Sequence, residues 1–154
     1  MRAHCATLVA PRPTCRVVSE KKPQGGTEAR RDWGITRDVI AACIEVHRHL
    51  GPGLLESTYE RCVAHELELR GFSVVRQMVL PVRYKGLIVP DAHRIDLFVA
   101  DRLVLEIKSV DSLHAVHQAQ TLTYLRLSGA EAALLVNFNV EVLREGVRRY
   151  IAKQ

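Results

Sequence analysis

Two short apolar runs, separated by two residues, constrain the fold of this chain more than any other feature. Residues 94–100 read Arg-Ile-Asp-Leu-Phe-Val-Ala, and residues 103–108 read Leu-Val-Leu-Glu-Ile-Lys. Runs of this length and composition, joined by two polar residues, predict the two strands of a hairpin. Such strands belong in a core, yet these carry Asp96, Glu106 and Lys108. Because an unpaired buried charge is costly, this placement predicts a site that uses the charges.

The length of the loop between the runs decides whether the three charges share one face. Side chains alternate along a strand, so Glu106 and Lys108 point to one face and Ile107 to the other. A three-residue loop at 100–102 sets Asp96 opposite Glu106, whereas a two-residue loop turns the Asp96 carboxylate away. A functional site therefore predicts an odd loop or a bulge here. The alternative is a solvated strand end that carries a Glu–Lys pair.

The charge of the chain is unevenly distributed. The 154 residues fit one domain, and the net charge is +5. The first 31 residues hold seven of the 22 Lys/Arg and two of the 17 Asp/Glu, so the remainder is neutral. Bulk charge of the folded part therefore gives no argument for a nucleic-acid partner, and any basic surface there must be local.

Residues 1–32 are predicted to be a disordered, basic N-terminal extension, and residues 33–154 a single folded domain. The extension contains three of the six prolines and no periodic apolar pattern. The four cysteines form no CxxC pair, which favours reduced thiols in a cytoplasmic protein. No apolar run approaches the roughly 18 residues of a membrane span, so no membrane association is expected.

The order of the predicted elements is α-α-β-β-β-β-α-β-β. Thr36 is a predicted N-cap, Gly71 a helix end, Tyr84-Lys85-Gly86 a turn, and Pro90-Asp91 a second turn. The order predicts a mixed sheet with helices on it, in the α/β or α+β class. The predicted helices span about 36–50, 55–70 and 113–127, and the predicted strands span 72–83, 87–89, 94–100, 103–108, 132–138 and 146–151.

Five collinear motifs carry a resemblance to a known family. Gly53-Leu-Leu-Glu56-Ser-Thr-Tyr59 matches the GxxExxY signature of a family of small proteins, which resembles a branch of the PD-(D/E)XK nuclease superfamily. The resemblance covers roughly residues 35–151. The other four motifs are Tyr84-Lys85-Gly86, Asp96 with Glu106-x-Lys108, Gln120-x-x-x-Tyr124, and Leu134-Leu-Val-Asn-Phe138.

The resemblance implies a restriction-endonuclease-like αβββαβ core, with a mixed central sheet flanked by helices. It also implies catalytic roles for five residues and a metal bound by several of them. Asp96, rather than Asp91 after Pro90, takes the place of the superfamily's first aspartate, because Asp91 follows a proline in a predicted turn. The implied catalytic residues are Asp96, Glu106, Lys108, Glu56 and Gln120, and Tyr59 and Tyr124 are the implied substrate or supporting residues.

The implied cofactor is Mg²⁺ or Mn²⁺. Mg²⁺ prefers oxygen ligands and keeps several waters, so Asp96 and Glu106, with Glu56 and the Ile107 carbonyl, make a sufficient ligand set. The metal activates a water and polarises the phosphate. Lys108 is expected to hold the water or to stabilise charge. Alternatively, the neighbouring metal and partial desolvation lower the pKa of Lys108, and it acts as a base.

Bland interpretations of the supporting residues stay open. Glu56 in the first turn of a helix suits the helix dipole, and Gln120 with Tyr124 makes an ordinary helix-face pair. His114 and His117 have the spacing of a metal pair, but no third ligand is evident.

Three functions are compatible with these patterns. The leading one is a Mg²⁺-dependent nuclease acting on DNA or RNA, with specificity from a protein partner, a homodimer or a substrate structure. The second is a catalytically weak or inactive nuclease-like fold that binds nucleic acid or protein. A dead enzyme usually loses the lysine or a carboxylate, and this chain retains both, which favours catalysis. The third is a regulatory nucleic-acid binder that uses the basic extension.

Overall fold

A computed structural model shows a mixed six-stranded sheet with helices on both faces. It describes the backbone of residues 16–17 and 27–152 and the side chains of residues 34–152. The elements are β1 (Arg16–Val17), α1 (Thr27–Leu50), α2 (Glu56–Leu69), β2 (Val74–Tyr84), β3 (Leu87–Val99), β4 (Leu103–Lys108), α3 (Ala115–Ser128), β5 (Ala132–Asn137), a 3-10 turn (Leu143–Gly146) and β6 (Val147–Ile151).

The sheet has the strand order β1-β6-β5-β4-β3-β2. Only β4 and β5 are parallel, and all other neighbours are antiparallel. Parallel neighbours need a long crossover, which α3 supplies. The run from α2 to β5 therefore has the order αβββαβ, and the predicted fold class is confirmed.

The two faces of the sheet bury two separate apolar cores. One core lies under α1 and α2 and includes Leu97, Leu105, Leu134 and Phe138. The other lies under α3 and includes Ile95, Phe98, Val104 and Leu135. Strand β5 is buried along its whole length, as an all-apolar strand covered on both faces should be.

The prediction of an unstructured extension over residues 1–32 is corrected in two places. Arg16–Val17 pairs with β6, and α1 begins at Thr27, nine residues before the predicted N-cap Thr36. The residues after Gly26 include Glu, Ala and Arg, which are good helix formers, so the helix extends back to this point. The other residues of the predicted extension lie outside the described part of the chain.

The turn predicted at Pro90-Asp91 is wrong, because β3 runs without a break from Leu87 to Val99. Proline is tolerated in a strand where its missing N–H faces an open edge. The described ladder between β3 and β4 covers only residues 97–99 of β3, so Pro90 has no partner on that side. The β2–β3 register also shifts between Leu80 and Val82, opposite this segment.

The hairpin between β3 and β4 has the three-residue connection that the shared face requires. Val99 pairs with Leu103, and Ala100 and Asp101 both adopt positive φ angles, of 50° and 54°. The Arg102 N–H donates to the Val99 carbonyl at 3.1 Å. Two positive φ angles match the right-handed twist of paired strands, and Arg102 is the additional residue that sets the register.

Two further predictions concern the environment of the protein. Within residues 27–152, no helix is long and apolar enough to cross a membrane. Cys43 and Cys62 are free thiols, as predicted for a chain without CxxC pairs. The cytoplasmic location stays a prediction.

Candidate active site

The Asp96 carboxylate lies where β3 and β4 separate. The ladder ends with the pair Leu97 and Leu105, and the next pair in this register would be Asp96 and Glu106. Instead of continuing the ladder, Asp96 Oδ2 accepts a hydrogen bond from the Ile107 N–H at 2.9 Å. The side chain of Asp96 thus replaces a backbone acceptor and holds its carboxylate beside β4.

A local irregularity in β2 and β3 accompanies this arrangement. Gln77 has a positive φ of 53°, and the ladder passes from Arg76↔Leu97 to Met78↔Ile95 without pairing Gln77 with Asp96. Residues two apart in a regular strand share a face, yet Ile95 packs under α3 and Leu97 under α1 and α2. The strand therefore changes face at Asp96.

Glu106 is the most buried acid of the site. Its side chain is almost inaccessible, and its Oε1 pairs with Lys108 Nζ at 2.6 Å. Its Oε2 is buried and has no hydrogen-bond partner in the described part of the chain. Burial, and secondarily the charge of Asp96, raises the pKa of Glu106 to about 7. A buried oxygen without a donor is an open position for a cation.

The surroundings of Lys108 favour its ammonium form. Burial alone would lower the pKa of Lys108, but the adjoining Glu106 carboxylate and the charges of Asp96 and Glu56 raise it above its ordinary value. The alternative that Lys108 acts as a base concerned a lysine next to a bound metal, and it stays a prediction. Lys108 can act as a fixed cation.

Glu56 reaches the site from the first turn of α2. Its Oε1 accepts a hydrogen bond from the Ser109 N–H at 3.0 Å, directly after Lys108. Ser109 Oγ in turn donates to the Leu54 carbonyl at 2.7 Å. Leu54, Glu56 and Ser109 line an open cavity of about 390 Å³. The loop before α2 and the end of β4 are thus joined beside the charged residues.

Tyr59 fixes the loop that carries Glu56. Its hydroxyl donates to the Gly51 carbonyl at 2.6 Å and accepts from the Leu54 N–H at 3.1 Å. Its ring stacks on Phe138 with centroids 4.4 Å apart. The predicted supporting position of Tyr59 therefore has a structural basis, since the loop, α2 and the end of β5 all meet at this ring.

Gln120 and Tyr124 lie one turn apart on α3. The Gln120 amide donates to the Tyr124 hydroxyl. Burial raises the pKa of Tyr124, and the charge of Glu106 adds to this, so the phenol lies within electrostatic reach of the acids. No direct bond joins Gln120 to Asp96, Glu106 or Lys108 in the described residues.

Two residues of the site were not predicted from the sequence. Gln77 Nε2 donates to Glu60 Oε2 at 2.7 Å and to Asp96 Oδ1 at 3.5 Å, so it links α2 to the Asp96 carboxylate. Glu60 is buried and also bound by Arg76 at 2.9 Å. Glu60 could have been found from the sequence, because it lies four residues after Glu56 and therefore on the same face of the helix. The conformation of Gln77 had no signal in the sequence.

Asn137, a further buried residue outside the predicted set, holds the segment that follows Lys108. Its Oδ1 accepts from the Val110 N–H at 3.1 Å, and its Nδ2 donates to the Val110 carbonyl at 2.7 Å. Both functional groups of the amide are therefore used to fix the path of the chain as it leaves β4. Asn137 ends the buried strand β5, which is why a polar residue is tolerated there.

The carboxylates do not converge on one point in this conformation. Among the residues with described side chains, no group of three or more His, Cys, Asp or Glu is arranged to hold a metal ion. The ligand set of Asp96, Glu106 and Glu56 therefore stays a prediction, and no third ligand joins His114 and His117 among the described side chains. The physical reason is that each acid is engaged separately: Asp96 by Ile107, Glu106 by Lys108, and Glu56 by Ser109.

The donor set nevertheless fits a hard cation that keeps most of its waters. Glu106 Oε2 is unengaged, and Asp96 Oδ1 has only the long contact to Gln77. The Lys108 carbonyl accepts from Phe138 on the β5 side, so the Ile107 carbonyl faces the β3 side, where the ladder has ended. One or two carboxylates and a carbonyl are what Mg²⁺ commonly takes from a protein.

A family model described as the PD-(D/E)XK nuclease superfamily matches residues 34–150. This range contains every residue of the site described above. No curated protein matches this chain, and no solved structure does.

Proposed function

The chain belongs to the PD-(D/E)XK nuclease superfamily, and from this premise we propose that it is a metal-dependent nuclease that hydrolyses phosphodiester bonds in DNA or RNA. One observation supports this most: the buried Glu106 keeps one oxygen without a donor, next to Asp96 and the cation of Lys108. A purely structural Glu–Lys pair gains nothing from such an oxygen, because an unsatisfied buried acceptor is destabilising.

The proposed metal is Mg²⁺ or Mn²⁺, held by Asp96, Glu106 and the Ile107 carbonyl. Glu56 is proposed to contribute through its position beside Ser109. When bound, the metal lowers the pKa of a water and polarises the scissile phosphate. The chain supplies the acids, keeps them partly desolvated and fixes Asp96 through Ile107 and Gln77.

Lys108 is proposed to stabilise the charge that develops on the phosphate. Its raised pKa favours the ammonium form, and its Nζ lies 2.6 Å from Glu106 Oε1, so its position is set before the substrate arrives. A preorganised cation in a desolvated site stabilises a transition state more than a mobile surface cation does. Gln120 and Tyr124 are proposed to contact the substrate from the α3 side.

We also infer membership of the GxxExxY branch. Each of the three signature residues has a distinct place: Gly53 has a φ of 96°, Glu56 bonds Ser109, and Tyr59 fixes the loop between them. The three signature residues thus belong to one structural unit, the loop and first turn of α2, which is hydrogen-bonded to the residue after β4.

The second candidate is a nuclease-like fold that binds nucleic acid or a protein without cleaving. The observation that favours it is that each acid of the site is separately engaged. The two candidates differ in whether a divalent ion changes the protein and whether cleavage follows. The partner in both is proposed to be nucleic acid, with a homodimer or a protein partner as the source of specificity.

A cleavage assay distinguishes the candidates. Wild type with Mg²⁺ or Mn²⁺ is incubated with single-stranded DNA, double-stranded DNA and RNA, beside Asp96→Asn, Glu106→Gln and Lys108→Met. Each variant is expected to lose about 100-fold or more in rate, while Glu141→Gln, an exposed acid on a loop, retains wild-type activity. Cleavage that survives in all three variants points to a contaminant. Wild type that binds nucleic acid but cleaves none of it supports the binding function.

A further inference from the structure

The far half of the β2–β3 hairpin projects beyond the rest of the sheet. We define the hairpin arm as residues 82–89, in which Val82, Arg83 and Tyr84 pair with Val89, Ile88 and Leu87. In the described ladders, β4 pairs only with residues 97–99 of β3, so no strand flanks the arm. Tyr84 is 62% exposed and Leu87 is 60% exposed. An exposed apolar group of this kind marks an interaction surface.

One face of the hairpin arm is apolar and continues toward the candidate active site. The cross-strand pairs Val82–Val89 and Tyr84–Leu87 share a face, because directly opposed side chains point the same way. In β2 this is also the face of Leu80. Leu80 pairs with His93, and the His93 ring packs edge-on against Tyr124 at 5.4 Å.

The hairpin arm and its base are basic. Arg83, Lys85 and Arg94 form no ion pair within the described residues, and Asp91 is the one acid between residues 79 and 94. Lys85 Nζ lies 5.4 Å from the centre of the Tyr84 ring. The folded part of the chain is neutral as a whole, so this is the local basic surface that a nucleic-acid substrate requires.

We propose that the hairpin arm binds an unpaired stretch of the nucleic acid that enters the site, with bases against Tyr84 and Leu87. The phosphates lie against Lys85, whose Nζ is over the Tyr84 ring, and against Arg83 and Arg94, which reach around the open strand edge from the other face. Unpaired bases expose the π-faces that aromatic side chains stack on, whereas a continuous duplex does not. This inference rests on the proposed function, since it assumes that the site acts on nucleic acid. Binding by the arm does not itself require cleavage.

A second copy of the chain is a poorer occupant of the same surface. Two arms carry the same charge, since residues 79–94 hold the cations Arg83, Lys85 and Arg94 against the single acid Asp91, and like charges repel. The strand edge is also protected, since Pro81 and Pro90 interrupt the donors that edge-to-edge pairing needs. Nucleic acid instead supplies the opposite charge.

The length of the hairpin arm sets how far from the acids of the site a bound strand contacts Tyr84. Seven residue steps separate Gln77, which bonds Asp96, from Tyr84 at the tip, which is about 23 Å at roughly 3.3 Å per step. At about 3.4 Å per nucleotide, this corresponds to about seven nucleotides of a stacked strand between the acids and the tip.

Fluorescence anisotropy in EDTA tests the proposal with the full-length chain. The probes are an oligo-dT strand, an oligo-U strand and a blunt duplex, each of about 20 nucleotides, longer than the reach of the arm. Tyr84→Ala is expected to weaken binding of the single strands about tenfold and to leave duplex binding nearly unchanged. In Arg83→Gln/Lys85→Gln, the slope of log affinity against log salt should fall by about 1.4 for single strands. Comparison of oligo-dT with oligo-U tells DNA from RNA.

The matched controls are Leu69→Ala, an exposed apolar residue on α2, and Arg37→Gln, an exposed cation on α1. Both should bind like wild type. Arm variants that bind like wild type overturn this proposal, while the proposed function stands if wild type still cleaves. Arm variants that bind weakly, beside a wild type that cleaves nothing, support the arm and overturn the proposed function. Light scattering gives the third outcome. If wild type is a dimer and the arm variants are monomers with unchanged affinity for nucleic acid, the arm binds a second copy of the chain and the proposal is overturned.

Discussion

Asp96 Oδ2 accepts a hydrogen bond from the Ile107 N–H at 2.9 Å, so one carboxylate both completes the edge of a strand and faces the candidate metal site. The arrangement also explains why β3 and β4 can separate at this point without leaving the Ile107 donor unsatisfied. The structural and the chemical roles of Asp96 can be tested separately.

Asp96→Asn is expected to retain the fold and lose the activity. The amide oxygen of asparagine can still accept from Ile107, while the charge is removed. Burial raises the pKa of Asp96. The Ile107 N–H and Lys108 oppose this shift, and the charges of Glu60 and Glu56 add to it. The ionised form is therefore destabilised, and Asp96→Asn should unfold at higher urea than wild type at pH 7 in EDTA. Asp96→Ala loses the acceptor and should unfold earlier, by about 1–3 kcal/mol. A lower midpoint for Asp96→Asn than for Asp96→Ala would contradict the bond as described.

The stability of the metal-free protein should fall as pH rises from about 4.5 to 7. The pKa of Glu106 is raised from 4.5 to about 7 in the folded state, so within this window the folded protein binds more protons than the unfolded chain. Stability falls with pH wherever that holds. At about 1.4 kcal/mol per pKa unit, the fall is at most about 3 kcal/mol. Urea unfolding in EDTA across this range should show the fall in wild type and in Glu141→Gln. In Glu106→Gln the fall should be clearly smaller, because only the raised pKa of Asp96 still contributes; an undiminished fall in Glu106→Gln would show that Glu106 is not the group that titrates.

The sequence allowed the sheet and the central charges to be predicted, because their signals are local. The strand at residues 103–108 matches its predicted bounds, and a period of two places Glu106 and Lys108 on one face without further information. The resemblance then placed Glu56, from a helix some 50 positions earlier in the chain, near the same strand. The structure bonds it to Ser109.

What the sequence could not supply depends on contacts between distant segments. The positive φ of Gln77 arises where two strands and α2 meet. No glycine or asparagine stands there to indicate a bulge, so the sequence did not predict it. The direction in which the pKa of Lys108 shifts results from a balance between burial, which lowers it, and Glu106, which raises it. The residue type of Lys108 alone permitted either direction of shift. The sequence around Pro90 predicted a turn because proline is unfavourable inside a sheet. Pro90 is tolerated in β3 because no strand pairs with that side of it, and this depends on how the sheet is assembled.

Tyr59→Phe should reduce activity without disturbing the core. The change keeps the ring stacked on Phe138 but removes the hydroxyl that bonds Gly51 and Leu54. We expect a loss of about 1–2 kcal/mol in stability and about 10- to 100-fold in rate, as for residues that orient others. Amide exchange at Leu54 should accelerate, which a general loss of packing would not produce selectively. Tyr150→Phe is the matched control, because the buried Tyr150 hydroxyl has no hydrogen-bond partner in the described residues, and its removal should be neutral or stabilising. Unchanged Leu54 exchange in Tyr59→Phe would show that the loop is held by other contacts.

Gln77 offers a pair of substitutions that separate backbone from side chain. Its φ of 53° lies in the left-handed region, which is unfavourable by about 1–2 kcal/mol for a residue with a Cβ. Gln77→Gly and Gln77→Ala both remove the amide that links Glu60 to Asp96, so both should cleave about 10- to 100-fold more slowly. Gln77→Gly should nevertheless be more stable than Gln77→Ala by about 1 kcal/mol in urea unfolding. Asp101→Gly, at a φ of 54° in the β3–β4 turn, is the control: it should match or exceed wild type in stability and cleave normally. If Gln77→Ala cleaved like wild type, the link from α2 to Asp96 would have no part in the site.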